Sequence, residues 1–454
     1  MKIVLISTYE LGRQPFGLAS PAAWLRARGH AVDCLDLSRE SLDEARIGEA
    51  GLVAFYVPMH TATRLAVEWI EPVRRLNPRA ALCFYGLYAP VNEAWLRDLG
   101  VAAILGGEFE EGLARLADRL AAGASANGAQ PEPVISLERQ QFLLPDRSGL
   151  VPLGRYARLV VADGSERIAG YTEASRGCKH RCRHCPVVPV YNGVFRVVQP
   201  EVVLEDIRRQ VAAGAQHITF GDPDFFNGPR HALGIVRELH RRFPALTYDV
   251  TIKVEHLLAR RGDLAALEAT GCLFVTTAVE SVDDAVLALL EKSHTRADFF
   301  ELVPRFREAG LALHPTFVPF TPWTTLAGYA DLIETLRSLD LVENVAPVQL
   351  AIRLLVPAGS RLLELDDVRR IAEPFDRASL AHPWRHPDER VDALQQEIEA
   401  LVKRCHLEGT SRVETFGRIE RVARQAAGLP PVSDWRGGTI ARAAIPFLTE
   451  PWYC

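Results

Sequence analysis

Glu173-Ala174-Ser175-Arg176-Gly177-Cys178-Lys179-His180-Arg181-Cys182-Arg183-His184-Cys185-Pro186 follows a strand-like run at residues 167–172 and decides how this chain is read. Three of the eight cysteines fall inside it, spaced C-x3-C-x2-C. Three thiolates on one short loop can each bind one iron of a cubane cluster, leaving a fourth iron without a protein ligand. Thiolate donors suit iron–sulfur clusters, and an open iron can bind a cofactor or substrate directly.

The surroundings of the loop read as a second β/α series over residues 165–360. Strand patterns lie at 167–172, 217–220, 247–252, 272–277, 312–317 and 348–354. Helical patterns lie between them, at 201–213, 231–242, 264–269, 283–291, 297–309 and 326–339. Six repeats predict a partial (β/α)6 barrel of parallel strands, with its chemistry on the loops after the strands. The cysteine loop follows the first of these strands.

Upstream, residues 1–121 alternate apolar runs (2–7, 31–35, 52–57, 80–85, 102–105) with helical patterns (21–28, 61–76, 92–99, 108–121). This α/β pattern predicts a flavodoxin-like, doubly wound parallel sheet, which binds ligands beyond the carboxyl ends of its strands. Residues 122–164 read as a linker and connecting segment, beginning with an Ala/Gly/Pro stretch. Residues 361–454 read as mostly helical, with amphipathic stretches at 391–404 and 414–427. The apolar tail 445–454 carries two prolines and is not expected to be helical.

Composition fits this division. The chain has 454 residues, 48% hydrophobic and 24% charged, which suits about three globular domains. A net charge of -5 argues against a nucleic-acid coat or a polybasic membrane binder. No run reaches about 18 apolar residues, so no membrane span is expected. The first residues read as a buried strand rather than a signal peptide, which predicts a cytoplasmic, reducing compartment. There, thiols serve as ligands more often than as bridges. Cys34, Cys83 and Cys272 lie in apolar runs and read as core, while Cys405 has no assigned role.

Cys178, Cys182 and Cys185 resemble the signature of the radical S-adenosylmethionine (SAM) superfamily, with His184 at its usually aromatic position. The resemblance implies a 4Fe–4S cluster on these three cysteines and SAM on the open iron. One electron from the cluster would then break a carbon–sulfur bond of SAM. Gly221 and Asp222, within Phe220-Gly221-Asp222-Pro223-Asp224, fill the place of a turn that lies near the methionine amino group. Glu280 and Ser281 resemble residues that reach the cofactor's ribose or carboxylate. Lys253 and Arg353 are candidates for carboxylate contacts. The expected partners are a small-molecule substrate and an external electron donor such as flavodoxin or ferredoxin, with no nucleic acid or membrane partner.

The N-terminal sheet resembles the cobalamin-binding arrangement, and Gly106-Gly107-Glu108-Phe109-Glu110-Glu111 resembles a Gly-Glu-x-Glu turn of that family. The D-x-H-x-x-G motif that supplies a cobalt-binding histidine is absent. The resemblance leaves cobalamin open as a third cofactor and methyl transfer open as the reaction. The ending Leu448-Thr449-Glu450-Pro451-Trp452-Tyr453-Cys454 resembles radical SAM proteins whose tails read Cys-Cys-Ala-Glu-Pro or Cys-selenocysteine-Ala-Glu-Pro. That implies a chain continuing past Cys454 through a UGA codon read as selenocysteine.

Plainer readings stand beside these. The cysteines with His180 or His184 could form a structural zinc site. Asp222 and Asp224 could cap a turn, and Glu280 could be a helix N-terminal acid. Lys253 and Arg353 could be ordinary salt-bridge partners. The function expected is a radical SAM enzyme acting on a small substrate; the alternative is a non-catalytic iron–sulfur or zinc protein serving electron transfer or structure.

Overall fold

A computed structural model describes residues 1–125, 131–161, 164–431 and 447–449. The five main strands of the first sheet are largely buried apolar runs. β1 (Lys2–Ser7), β2 (Ala31–Asp36), β3 (Leu52–Tyr56), β4 (Ala81–Tyr85), β5 (Ala103–Gly107) and β6 (Ile135–Ser136) lie in the order β2-β1-β3-β4-β5-β6. All their pairings are parallel. Such a sheet must be covered on both sides, and two apolar cores flank it. The order reverses between β1 and β3, which puts the switch-point crevice at their carboxyl ends. The helical pattern at 61–76 divides at Trp69 into helices His60–Glu68 and Ile70–Leu76.

The second sheet is an open, curled barrel. β8 (Glu166–Thr172), β11 (His217–Phe220), β12 (Thr247–Thr251), β13 (Cys272–Glu280) and β14 (Ala312–Phe317) run parallel. Two short strands extend its edge antiparallel: β7 (Arg158–Val160) on β8, and β15 (Phe447–Leu448) on β7. Between β8 and β11, β9 (Ser175–Gly177) and β10 (Phe195–Val197) form a small antiparallel pair around the cysteine loop.

The strand expected at 348–354 does not form. Pro347 opens a 3₁₀ turn over Pro347–Leu350, and the sixth position shrinks to a single bridge between Phe320 and Arg353. Proline at the start of a turn lacks the N–H that a ladder needs there. Helices Glu389–Leu407 and Arg412–Ala426 pack on the barrel core through Leu394, Ile398, Phe416 and Ile419. Cys405 is buried in the same core. Cys454 and most of the apolar tail lie outside the described residues. Among the described residues, no helix is long and apolar enough to cross a membrane.

Candidate active site

β8 delivers the chain to Glu173, and the pairing of β9 with β10 sets the base of the cysteine loop. Cys178 and Cys182 are buried and Cys185 is partly so. Burial first, with the neighbouring Cys182 and Cys178 adding to it, pushes the Cys185 thiol up to about 12. Burial keeps the Cys178 and Cys185 thiols protonated in the absence of a cation, and bound iron reverses that penalty. Lys253, after β12, offers its Nζ to Cys182 Sγ at 3.5 Å and to Glu255 Oε1 at 2.9 Å. Burial works against the Lys253 charge, but Cys182 and Glu255 outweigh it and raise its pKa. The residues present therefore fit a thiolate-bound cluster.

Arg176 anchors the loop to the first sheet. Its guanidinium is buried against Glu110 (2.6 Å), Glu173 (2.6 Å) and Glu108 (3.5 Å). Glu110 also accepts the Ser20 hydroxyl at 2.7 Å. The Gly-Glu-x-Glu turn singled out in the sequence is thus a clamp on the residue two before Cys178. Burial raises Glu108 to about 7, against the pull of Arg176.

The other candidates fall into two groups. Cys185, Gly221 and Asp222 line one cavity of about 600 Å³, which runs down the barrel interior past Thr219, Thr251, Thr276 and Thr316. Its far end meets His314, Arg412 and the C-terminal helices. Burial lowers the His314 imidazole to about 3, keeping it neutral. Gly221 is required by packing, because a Cβ there would fall 1.8 Å from the Tyr171 hydroxyl. Asp222 accepts from Ala174 N–H at 2.9 Å and Ser175 Oγ at 2.5 Å, tying β11 to the cysteine loop. Burial pushes its carboxyl up to about 7 despite these bonds.

Glu280 and Ser281 line a different, smaller pocket of about 340 Å³ at the end of β13. Glu280 has a left-handed backbone (φ 68°) and contacts His184 Nε2 at 3.0 Å and Lys292 Nζ at 3.4 Å. Burial opposes its charge, but Lys292 and His184 prevail and hold it at about 2. His184 is thereby fixed from the far side of the loop. Ser281 Oγ accepts Asp283 N–H at 3.1 Å. Arg353 contacts Asp392 at 2.6 Å and stacks 3.6 Å from the Trp384 ring, away from the cavity.

Three further groups were not read from the sequence as parts of the site: Lys292, Glu255 and His256. Glu255 and His256 follow Lys253 directly, and His180 lies inside the cysteine motif. His180 Nδ1 is 2.7 Å from Glu255 Oε1, and His180 Nε2 is 3.1 Å from His256 Nε2. Asp224 uses Oδ1 to cap Phe226 N–H at 3.2 Å, while its Oδ2 lies 2.7 Å from His256 Nδ1.

At the first sheet, the β1/β3 crevice is filled by the chain itself. The Tyr56 ring occupies it so closely that a Cβ on Gly17 would fall 2.2 Å from the ring. Tyr56, Tyr85 and Phe109 pack in a triangle with centroids 5.1–6.0 Å apart. Tyr85 OH donates to Gly17 O at 2.9 Å. Tyr56 thus occupies the space beside Gly17 at the carboxyl end of β3.

Comparisons with known proteins agree with this geometry. A family model described as the radical SAM superfamily matches residues 172–332. A tRNA-2-methylthio-N(6)-dimethylallyladenosine synthase of Desulfosudis oleivorans is 26% identical over 231 residues, covering 49% of this chain and 48% of that relative. A hopanoid C-3 methylase of Methylococcus capsulatus is 24% identical over 326 residues, covering 68% and 62%. The chain thus spans roughly 40–60% of the length of such curated relatives. Among solved structures, the radical SAM methyltransferase TsrM of Kitasatospora setae, with cobalamin and a [4Fe-4S] cluster bound, aligns at TM-score 0.63 and 16% identity. That alignment covers 94% of this chain and 99% of TsrM. The cobalamin-dependent enzyme OxsB aligns at TM-score 0.67 and 12% identity, covering 94% and 71%. These likenesses extend the shared fold over both sheets. Residues 172–332 thus match the radical SAM superfamily, and the cofactors that this match supports are a 4Fe–4S cluster and S-adenosylmethionine.

Proposed function

We propose that this chain cleaves SAM reductively and starts radical chemistry on a small polar molecule held inside the barrel. The observation that carries this reading is the cavity that begins at Cys185 and continues past four threonines into the barrel. The cluster would supply one electron to a carbon–sulfur bond of SAM. The chain's own residues do the rest. Lys253 offsets thiolate charge beside Cys182. Asp222 and Arg176 fix the loop that presents the cysteines. The Glu280–His184 pair holds the loop from its other side.

About 600 Å³ suits a cofactor and a small metabolite. The lining mixes threonine hydroxyls, Asp249, Asn344 and Gln349 with Phe274. A polar substrate with one apolar face matches that surface.

Methyl transfer is the reaction class favoured by the likeness to TsrM and OxsB and by the hopanoid C-3 methylase match. The filled β1/β3 crevice limits how cobalamin could take part. A corrinoid would have to lie above Tyr56, Tyr85 and Phe109 rather than among them.

The test is anaerobic reconstitution with iron and sulfide, then reduction in the presence of SAM. Release of 5′-deoxyadenosine or a demethylated SAM product is expected from the native chain. The triple variant Cys178→Ala, Cys182→Ala, Cys185→Ala should lose the cluster's colour and the cleavage together. A cluster that forms and cycles while leaving SAM intact would favour electron transfer and end the enzymatic reading.

A further inference from the structure

A second group of ligating side chains stands beside the cysteine loop. His180, Glu255 and His256 each bring one ligand atom to within 4.8 Å of the others. They come from two places in the chain: His180 from the loop itself, and Glu255 and His256 from the segment after β12. Asp224, from the segment after β11, closes the group behind His256.

Three close contacts involve the imidazole nitrogens: His180–Glu255, His180–His256 and His256–Asp224. The last of these, although 2.7 Å long, lacks hydrogen-bond alignment. His256 Nδ1 and Asp224 Oδ2 are both buried without a hydrogen-bond partner, as is Glu255 Oε2. Buried polar atoms are normally paired; His256 Nδ1 and Asp224 Oδ2 face each other, which leaves Glu255 Oε2 as the atom that calls for a ligand. Charge gives the same answer. Asp224 and Glu255 are two carboxylates, and Lys253 Nζ, 2.9 Å from Glu255, offsets one of them.

The geometry points to a divalent first-row transition-metal ion held by His180, His256 and Glu255, with Asp224 backing the His256 ring. Two imidazoles and a carboxylate suit zinc or ferrous iron. A carboxylate behind a metal-bound histidine is the usual way of fixing that ring's tautomer. The ion would fasten the middle of the cysteine loop to the ends of two barrel strands. It is separate from the cluster, since it uses none of the three thiols, and it does not depend on SAM cleavage.

The experiment measures metal on the full chain. Cluster-reconstituted protein is incubated with zinc, desalted and analysed for zinc, iron and sulfide. The native chain is expected to hold one zinc per chain beyond its cluster iron. His256→Ala and Glu255→Gln should lose that zinc and keep their full iron and sulfide. Repeating the incubation with ferrous iron instead of zinc tells the two metals apart by which one is retained. Cobalt(II) added to the Cys178→Ser, Cys182→Ser, Cys185→Ser chain should give visible d–d bands without sulfur-to-metal charge transfer. The proposal is overturned if neither zinc nor iron is retained beyond the cluster, if zinc survives in both variants, or if the cobalt spectrum requires the cysteines.

Discussion

Arg176 Nη2 lies 2.6 Å from Glu110 Oε1, both side chains buried, and this pair joins the strand before the cysteines to the helix that follows β5. The same guanidinium reaches Glu173 and Glu108. Removing one partner of a buried pair strands the other's charge in a low-dielectric interior. Arg176→Met should therefore destabilise the chain by about 3–5 kcal/mol in urea unfolding. The same variant should lose iron faster than the native chain under a chelator. A cost below about 1 kcal/mol would mean that the clamp contributes no more than a surface pair.

Glu108 makes the clamp sensitive to pH. Burial raises its folded value to about 7 from 4.5. The folded chain then keeps a proton that the unfolded chain releases. Its contribution to stability is full below about pH 4.5 and is lost as pH rises through about 7. At about 1.4 kcal/mol per pKa unit, the loss totals about 3 kcal/mol. Asp222, also raised to about 7, works in the same direction. Glu108→Gln stays neutral throughout. The stability of this variant relative to the native chain should therefore rise between pH 5 and pH 8, as read from thermal midpoints at both values. A difference independent of pH would show that Glu108 does not titrate in this window.

Lys253 sits 3.5 Å from Cys182 Sγ, close enough to stabilise the extra electron of a reduced cluster. Lys253→Met keeps the length and removes the charge. The cluster's midpoint potential should fall by roughly 50–100 mV, the scale of one partly screened charge at this range. An EPR-monitored redox titration measures it. An unchanged potential would assign Lys253 to Glu255 alone.

Much of this was legible in the sequence, for local reasons. The three cysteines lie within eight residues of one another, so spacing alone groups them. The buried parallel strands read as apolar runs because both their faces are covered. What escaped was assembled from distant segments or interrupted locally. His256 meets His180 across 76 residues, and no periodicity links them. Residues 348–354 carry a strand's composition, but Pro347 turns their first half into 3₁₀. β7 has three residues and pairs only at an edge, too short to register as a pattern. Asp222 was legible by position, and what the sequence did not show is that both its oxygens bind the loop that it holds.

The filled crevice of the first sheet bears directly on cobalamin. A corrinoid bound with its nucleotide tail buried would have to displace Tyr56, whose ring already touches Gly17. Opening that space disrupts the Tyr56–Tyr85–Phe109 triangle, and losing a buried aromatic's packing costs about 3–5 kcal/mol. A protein that does not read the tail should not distinguish cobalamin from cobinamide, which lacks it. Competition between the two during reconstitution, followed by absorption spectra and mass analysis of the bound corrinoid, tests this. Equal uptake is expected if corrinoid binds, with the corrin resting above the aromatic floor. A preference of about tenfold for cobalamin, equivalent to about 1.4 kcal/mol, would mean that the crevice opens for the tail. Uptake of neither would remove cobalamin-dependent methyl transfer and leave SAM cleavage with direct hydrogen abstraction as the chemistry to pursue.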